Sequence, residues 1–364
     1  MDSAEPTART TPGLPRALGV LIALAAGSIA LWGMSAYAPV IVPAFLALNL
    51  MIAVHPLGKS LTRLGVPAII GSLVNMLAVL AALIAFFLLI GWAVNRLVTE
   101  LPQYGDQFNA LIQQVLDLAA RFGLRQQQIN QWLVEFDFAK LFGLLTEALS
   151  SVSAIGSLLG VAVACIIFFG LDAIGLPARL EVVGRRRPNA LQALLAFARS
   201  VRTYWVVTTV FGAVVAVIDG FALWALGVPL PAVWAMLLFL CNYIPNIGFV
   251  FAMIPPTLMA LLDKGPWTAL IVVAFCTVAA MLLQGLVQPR VTGRAVGVSA
   301  SASFLSVLFW SWVLGAAGAL LSVPMTLLVK ALLVDADPQM RWLNAFLADT
   351  PAAADEIDPT PVED

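Results

Sequence analysis

Long apolar runs recur along this chain, and they limit what it can fold into. Each run has about 20 residues, the length that an α-helix needs to cross about 30 Å of hydrocarbon. Charged residues make up only 11% of the 364 residues, whereas about a quarter of a soluble domain is charged. The sequence therefore predicts an all-α, polytopic membrane protein and excludes a soluble enzyme or a nucleic-acid-binding protein. The six predicted spans are residues 17–34, 38–54, 67–94, 151–172, 204–226 and 267–287.

One stretch between the third and fourth spans differs from its surroundings. It contains charges, and its apolar residues recur at helical spacing, which predicts two amphipathic helices at about 103–121 and 126–148. The last 30 residues hold eight acidic side chains and four prolines, which is typical of a solvated tail. The predicted organisation is a flexible N-terminus (1–16), three spans (17–95), an extramembrane amphipathic helical segment (96–150), a membrane core (151–333) and an acidic disordered tail (334–364).

The basic residues predict the orientation of the spans. Lys and Arg are concentrated in alternate loops, which all fall on one side of the membrane. Short basic loops face the cytoplasm, so we expect the N-terminus to be cytoplasmic and residues 97–149 to face outward. The basic residues concerned are Arg9, Arg16, Lys59, Arg63, Arg179, Arg185, Arg186, Arg187, Arg199, Arg202, Arg290 and Arg294.

An apolar stretch at 231–262 is interrupted in its middle. Pro245 lacks a backbone donor and disfavours helix at the preceding residue, and Gly248 permits a turn. Peptide groups freed by a break are costly in lipid, so the break must face protein or a water-filled cavity. We therefore expect a hairpin that enters and leaves on the same side, with a second kink at Pro255-Pro256. The candidate pathway residues at its tip are Asn242, Tyr243, Pro245, Asn246 and Gly248.

A second stretch, 301–333, is too long for one comfortable span. It is predicted to break at Gly315 and Gly318 and again at Pro324, which gives a second hairpin of opposite orientation. Each hairpin follows one full span, so the two halves form an inverted pair, a recurring plan of secondary transporters. The substrate is expected where the two hairpin tips approach one another, although proline and glycine can also merely kink a helix or permit close packing.

Two polar side chains lie inside predicted spans. Asp219 is well within the fifth span, where a carboxylate is costly and either lines a cavity, pairs or relays protons. Gln284 lies near the end of the sixth span and can face the cavity or bond another helix. The sequence has no phosphate-binding loop, zinc-protease or serine-hydrolase motif and no Cys/His metal spacing, so no enzyme activity, cofactor or metal is predicted.

Three segments resemble the autoinducer-2 exporter family of bacterial membrane proteins: NYIPNIGFVFAMIPP, LVQPRVTGRAVG and FWSWVLGAAGALLSVPMTLLVKALL. The outward segment that opens with Leu101-Pro102 is also similar, and the resemblance covers about residues 17–333. It implies a multi-pass transporter of the bacterial inner membrane and is compatible with a homo-oligomer. Some members resemble exporters of autoinducer-2, others sodium/proton antiporters. The matching positions are Pro245, Gly248, Pro255 or Pro256, Pro289, Gly293, Trp312, Gly315, Gly318, Leu321, Pro324 and Lys330.

Three functional hypotheses follow. The first is export of a small, polar, uncharged metabolite through a cavity between the hairpins, which move against the spans and use a proton gradient. The second is cation/proton antiport with Asp219 as the carrier, since a lone carboxylate can hold a proton or a cation in turn. The third is a non-transporting scaffold that binds partners through residues 97–149. The expected partners are a small-molecule or ion substrate and membrane lipid, without nucleic acid.

Overall fold

A computed structural model of the chain describes residues 16–121, 152–245, 247–288 and 299–344. Every regular element within these residues is helical, which confirms the all-α prediction. The helices are α1 (Arg16–Ala36), α2 (Ala38–Arg63), α3 (Ala68–Glu100), α4 (Gly105–Arg121), α5 (Val152–Asp172), α6 (Leu176–Arg186), α7 (Pro188–Ala225), α8 (Pro231–Cys241), α9 (Gly248–Lys264), α10 (Pro266–Ala280), α11 (Ala300–Leu314), α12 (Ala316–Leu320) and α13 (Ser322–Lys330).

Each predicted span coincides with a helix. Four of the described helical segments are long and apolar enough to cross a membrane by themselves: α2, α3 with its continuation, α7, and α10 with its continuation to Val287. α5 meets the same criterion together with α6, which follows after a bend of 72°. α1 is apolar over Leu24–Ala36. The described part of the chain therefore has the composition of a polytopic membrane protein.

The loop predicted before the fifth span is largely helical. α7 begins at Pro188, well before the predicted start at residue 204, and runs for 38 residues. Proline suits the first helical position because its missing N–H has no intrahelical partner there. Alanine, leucine and arginine, all good helix formers, dominate residues 189–202, so the helix continues beyond the apolar run.

The amphipathic segment begins as a direct extension of α3. A 3₁₀ turn at Leu101–Tyr104 joins α3 to α4, whose bounds agree with the predicted helix at 103–121. The second predicted amphipathic helix, at 126–148, lies outside the described residues, as do residues 1–15 and 345–364. Pro289 and Gly293 of the second resembling motif lie outside them as well.

The first predicted hairpin is formed by α8 and α9. A Cβ added to Gly227, just before α8, would lie 3.3 Å from Cε of Lys264, the last residue of α9. The start of α8 and the end of α9 are therefore neighbours, and the connection between α8 and α9, which includes Asn242–Pro245, forms the opposite end. A Cβ at Gly248 would overlap the carbonyl oxygen of Cys241, which explains the glycine at this position. α9 runs through Pro255 and Pro256 as one helix.

The second predicted hairpin is formed by α11 against α12 and α13. Gly315 ends α11 with φ +69°, a conformation that favours glycine. A chain of hydrogen bonds joins the two arms. Trp310 Nε1 donates to Thr326 Oγ1 at 2.9 Å, and the Thr326 hydroxyl lies 2.6 Å from that of Ser306. The Ser306 hydroxyl in turn donates to the Ser322 carbonyl at 2.8 Å. A Cβ at Gly318 would overlap the Trp310 carbonyl oxygen, so the arms meet through backbone here.

The predicted break at Pro324 is wrong in position. The chain breaks at Leu321, and Pro324 lies in the first turn of α13. The first N–H groups of a helix have no intrahelical acceptor, so proline is accommodated there without loss of a bond.

The first part of the predicted disordered tail, residues 334–344, is largely helical. α13 continues as a π-helical turn over Ala331–Asp335, and a 3₁₀ turn covers Pro338–Leu343. Lys330 Nζ donates to both carboxylate oxygens of Asp335 at 2.9 and 3.0 Å, and Asn344 Nδ2 donates to the same carboxylate at 3.1 Å. All three side chains are buried. This polar cluster holds residues 334–344 against the membrane core, which the acidic composition alone did not indicate.

Candidate transport cavity

The tip of the first hairpin borders a cavity of about 880 Å³. Its walls come from α7, the connection between α8 and α9 at Asn242–Pro245, α9, α10 with its continuation, and the second hairpin. The described residues that line it include amides, hydroxyls and apolar groups but no charged side chain. Its size is within the range of small-molecule binding pockets. The polar lining residues are Tyr204, Thr208, Asn242, Thr277, Gln284, Gln288 and Ser303.

Asn242 connects the hairpin tip to two neighbouring helices. Its Nδ2 donates to the Thr208 carbonyl at 2.9 Å, and its Oδ1 accepts from Nε2 of Gln284 at 2.9 Å. A Cβ at Gly212 would lie 2.5 Å from Nδ2 of Asn242, so glycine on α7 leaves room for this amide. An amide oxygen has two lone pairs, so Asn242 Oδ1 retains acceptor capacity toward the cavity.

Tyr243 fixes the tip to α7 from the opposite side. Its carbonyl oxygen accepts from the Tyr204 hydroxyl at 2.9 Å, and its own hydroxyl lies 2.8 Å from Oγ1 of Thr209. Its ring packs at 5.4 Å from that of Trp205, centroid to centroid. The break was expected to face protein or a water-filled cavity. Several of its peptide groups are paired with protein, because Ile244 N–H donates to the Cys241 carbonyl at 2.9 Å and the Tyr204 hydroxyl donates to the carbonyl of Tyr243.

Gln284 lies in an irregular part of the last full span. α10 changes to a π-helical segment over Met281–Val287, which carries Gln284 and Gly285. π-Helical segments are rare, and single-turn examples are frequent at functional sites. Here the segment places the Gln284 amide against Asn242 and the cavity.

The structure brings some of the predicted pathway residues together and separates others. Asn242, Pro245 and Gln284 line the cavity, and Asn246 lies outside the described residues. The second hairpin contributes Ser303 and Val323 from its arms, not from its tip. The two hairpin tips were expected to meet around the site. The cavity is instead bordered by the tip of the first hairpin and by the arms of the second. The predicted residues that do not line the cavity are Asp219, Tyr243, Gly248, Gly315, Gly318 and Pro324.

Asp219 is completely buried away from the cavity. Its side chain lies on the face of α7 that meets α8 and α10, and neither carboxylate oxygen has a hydrogen-bond partner of good geometry. The thiol of Cys276 on α10 is the polar group that faces it.

Several lining residues were not among the predicted site residues, although their spacing carries a signal. Tyr204 and Thr208 are four residues apart on α7 and share one face. Thr277, Gln284 and Gln288 recur at intervals of seven and four along one apolar span, which also places them on one helical face. A polar stripe on an otherwise apolar span indicates a face turned toward a cavity or another helix.

Comparison with known proteins identifies a family and several relatives that are similar to this chain over most of its length. The model of the AI-2E family transporter matches residues 18–336. The AI-2 transport protein TqsA of Escherichia coli K12 is 32% identical over 86% of this chain and 91% of its own length. A "Putative transport protein" of Haemophilus influenzae is 30% identical over 90% of this chain and 96% of its own. The "Putative transport protein YhhT" of Escherichia coli K12 is 27% identical over 85% and 89%.

The family and these relatives are transport proteins and not enzymes, and the fold with its neutral polar cavity is suited to the same task. The matched residues include both hairpins and all six predicted spans. This chain belongs to the AI-2E transporter family.

Proposed function

We propose that this membrane transporter exports a small, polar, uncharged metabolite similar to autoinducer-2 from the bacterial cytoplasm across the inner membrane. The observation that carries the proposal is the cavity beside the first hairpin tip, whose described lining offers amides and hydroxyls without a charge. Such a lining stabilises a neutral hydroxylated or carbonyl compound by hydrogen bonds and gives an ion no compensating charge. The name of the TqsA relative supports this class of substrate.

Movement of the hairpins against the spans supplies the mechanism. The tip of the first hairpin is attached to α7 and to the π-helical continuation of α10 by side-chain hydrogen bonds at Asn242 and Tyr243. These bonds can exchange with water or substrate, so the tip opens the cavity to each side in turn. A proton gradient is the energy source that we propose.

Gln284→Met tests the substrate site. Methionine keeps the length of the side chain but removes both hydrogen-bonding groups, which weakens binding of a neutral polar substrate by about fivefold for one lost bond. The assay is uptake of autoinducer-2 into inverted vesicles that contain the protein, with the apparent affinity measured from the concentration dependence. Gln103→Met is the control, because Gln103 is exposed between α3 and α4 and outside the cavity.

An apparent affinity that is the same in Gln284→Met and the wild type would contradict the proposed site. Absence of autoinducer-2 transport by the wild-type protein, with retained transport of another neutral polar compound, would leave the site in place and refute only the named substrate.

A second candidate function, cation/proton antiport, is favoured by one observation. Asp219 is a fully buried carboxyl group on the longest described apolar helix of the core, and its oxygens have no hydrogen-bond partner of good geometry. A carboxyl group in this state can take up a proton or a cation when the surrounding helices part. In this candidate function, Asp219 is the carrier.

Asp219→Asn tests antiport. Asparagine has nearly the same shape but no titratable group, so it abolishes sodium-driven proton movement in proteoliposomes that hold a pH-sensitive dye. Asp263→Asn, at the exposed end of α9, is the control. Proton movement that persists in Asp219→Asn refutes antiport through this residue, while export of the neutral metabolite is measured separately.

We also propose a homo-oligomer, as the family resemblance favours. Multi-angle light scattering of the detergent-purified protein measures the number of subunits, and a monomeric mass refutes this part of the proposal.

A further inference from the structure

A second cavity, of about 750 Å³, lies between α2, α5, α6 and the first part of α7. It shares no lining residue with the transport cavity. Leu48 and Met51 come from α2, and Leu195 comes from α7. Arg179 comes from α6, and Arg202 lies two turns beyond Leu195 on α7. The described residues therefore form a pocket that joins an apolar wall to a basic edge.

The basic edge has an excess of positive charge. Asp172, the carboxylate that lines the cavity, lies 3.0 Å from Arg179 and balances it. Within the described residues, Arg199 and Arg202 have no carboxylate partner, and Nε of Arg199 donates only to the Leu195 carbonyl of its own helix, at 3.4 Å. His55 adds a further nitrogen donor or acceptor at the same edge. Two guanidinium groups are thus free to bind an anion, and arginine forks suit phosphate oxygens.

The apolar wall makes the pocket unsuitable for an anion alone. Leu48 and Met51 lie one to two turns before His55 on α2, and Phe169 lies one turn before Asp172 on α5, so they continue the lining into the membrane. A ligand that fills the pocket needs both a negatively charged head and an apolar chain.

The position of the pocket along the spans fits the surface of one leaflet. α6 turns by 72° from α5 and carries Arg185 and Arg186, so it leaves the spanning direction at this level. The distribution of basic residues places this level at the cytoplasmic face. Basic pockets between spans on that side bind anionic lipid headgroups.

We propose that this pocket binds one anionic phospholipid of the cytoplasmic leaflet. Arg199 and Arg202 hold the phosphate group, and an acyl chain lies along Leu48, Met51 and Phe169. The bound lipid bridges α2 and α7, and α7 also carries Tyr204, Thr208 and Thr209, which bond the tip of the first hairpin. This site is independent of the substrate proposed for the transport cavity.

Native mass spectrometry of the full-length protein in a neutral detergent tests the site. The protein is titrated with dioleoyl phosphatidylglycerol or with dioleoyl phosphatidylcholine, and the bound fraction gives a dissociation constant for each. The wild type is expected to prefer the anionic lipid. Arg199→Gln/Arg202→Gln lowers the affinity for phosphatidylglycerol by about 25-fold, or about fivefold for each arginine near an anionic headgroup.

The matched control is Arg185→Gln/Arg186→Gln. It removes the same charge from the same face of the membrane, but neither residue lines the pocket, so the affinity changes by less than twofold. Arg199→Lys/Arg202→Lys keeps the charge and restores a large part of the binding, which separates loss of the site from misfolding.

Glycerol 3-phosphate distinguishes the lipid from a free phosphate compound. It carries the head chemistry without an acyl chain, and we expect no binding at concentrations that saturate with phosphatidylglycerol. Equal binding of glycerol 3-phosphate, equal affinity for the two lipids, or an equal loss in both double-glutamine variants would overturn the proposal. A failure here leaves the transport assay of Gln284→Met unaffected.

Discussion

Removal of Lys330 should test how strongly the end of the second hairpin is fixed. Its ammonium group lies 2.9 and 3.0 Å from the two oxygens of Asp335, and the side chains are only 9% and 10% exposed. Lys330→Met leaves the carboxylate buried with one donor, Nδ2 of Asn344 at 3.1 Å. An unpaired buried charge of this kind costs about 3–5 kcal/mol of unfolding free energy. Asp335→Leu should cost a similar amount, because it leaves the ammonium group unpaired.

The double variant Lys330→Met/Asp335→Leu should be more stable than either single variant. It removes both charges together, so the desolvation penalty disappears with the attraction. The remaining cost is the buried amide of Asn344, which loses its acceptor, at about 1–3 kcal/mol. The double-mutant cycle therefore predicts a coupling energy of several kcal/mol between the two residues.

The measurement is reversible unfolding of the purified protein in mixed micelles, followed by tryptophan fluorescence. Lys264→Met is the matched control, since Lys264 ends α9 and pairs with Asp263 at 3.1 Å, but its side chain is 44% exposed. An exposed pair contributes at most about 1 kcal/mol. A double variant that loses as much stability as the two single variants added together would refute the buried-pair reasoning. Equal losses in Lys330→Met and Lys264→Met would refute the burial itself.

Two further substitutions test the first hairpin by the same unfolding assay. Gly248→Ala introduces a Cβ that overlaps a backbone carbonyl and should lower the free energy of unfolding by about 1–3 kcal/mol. Gly91→Ala is the control, because Gly91 on α3 has open space around it, and it should be neutral or stabilising by up to about 1 kcal/mol. Equal effects of the two substitutions would contradict the close approach at Gly248. Tyr204→Phe removes the donor to the Tyr243 carbonyl and should cost about 1–3 kcal/mol; an unchanged stability would show that this carbonyl finds another partner.

The sequence predicted the elements whose physical cause is local. Six spans followed from apolar length, and both hairpins followed from glycine and proline inside apolar stretches. Gly248 and Gly315 occupy positions that require glycine, one because of a neighbouring carbonyl and one because of a positive φ. The prediction of a break at Pro324 was wrong, because proline disrupts the interior of a helix but is accommodated in its first turn.

The composition of the cavity depends on contacts that are distant in sequence. Asn242 is 34 residues from the Thr208 carbonyl and 42 from Gln284, so only the packing of α7 and α10 against the tip brings these groups together. The buried cluster of Lys330, Asp335 and Asn344 escaped prediction for a different reason. An acidic, proline-containing segment is usually solvated, and one intramolecular cation was enough to bury its first carboxylate.

The position of Asp219 shows what helical periodicity predicts about a residue and what it does not. Tyr204, Thr208 and Asp219 all lie on the buried face of α7, so periodicity alone places the carboxylate in line with the cavity. α8 packs directly on α7 next to Asp219: a Cβ at Gly220 would lie 2.7 Å from that of Ala235. Asn242 packs against Gly212, which lies on α7 between Thr208 and Asp219, and Asp219 faces Cys276 of α10 rather than the cavity. A coupling role for Asp219 therefore requires the helices packed around it to part, as the antiport candidate assumes.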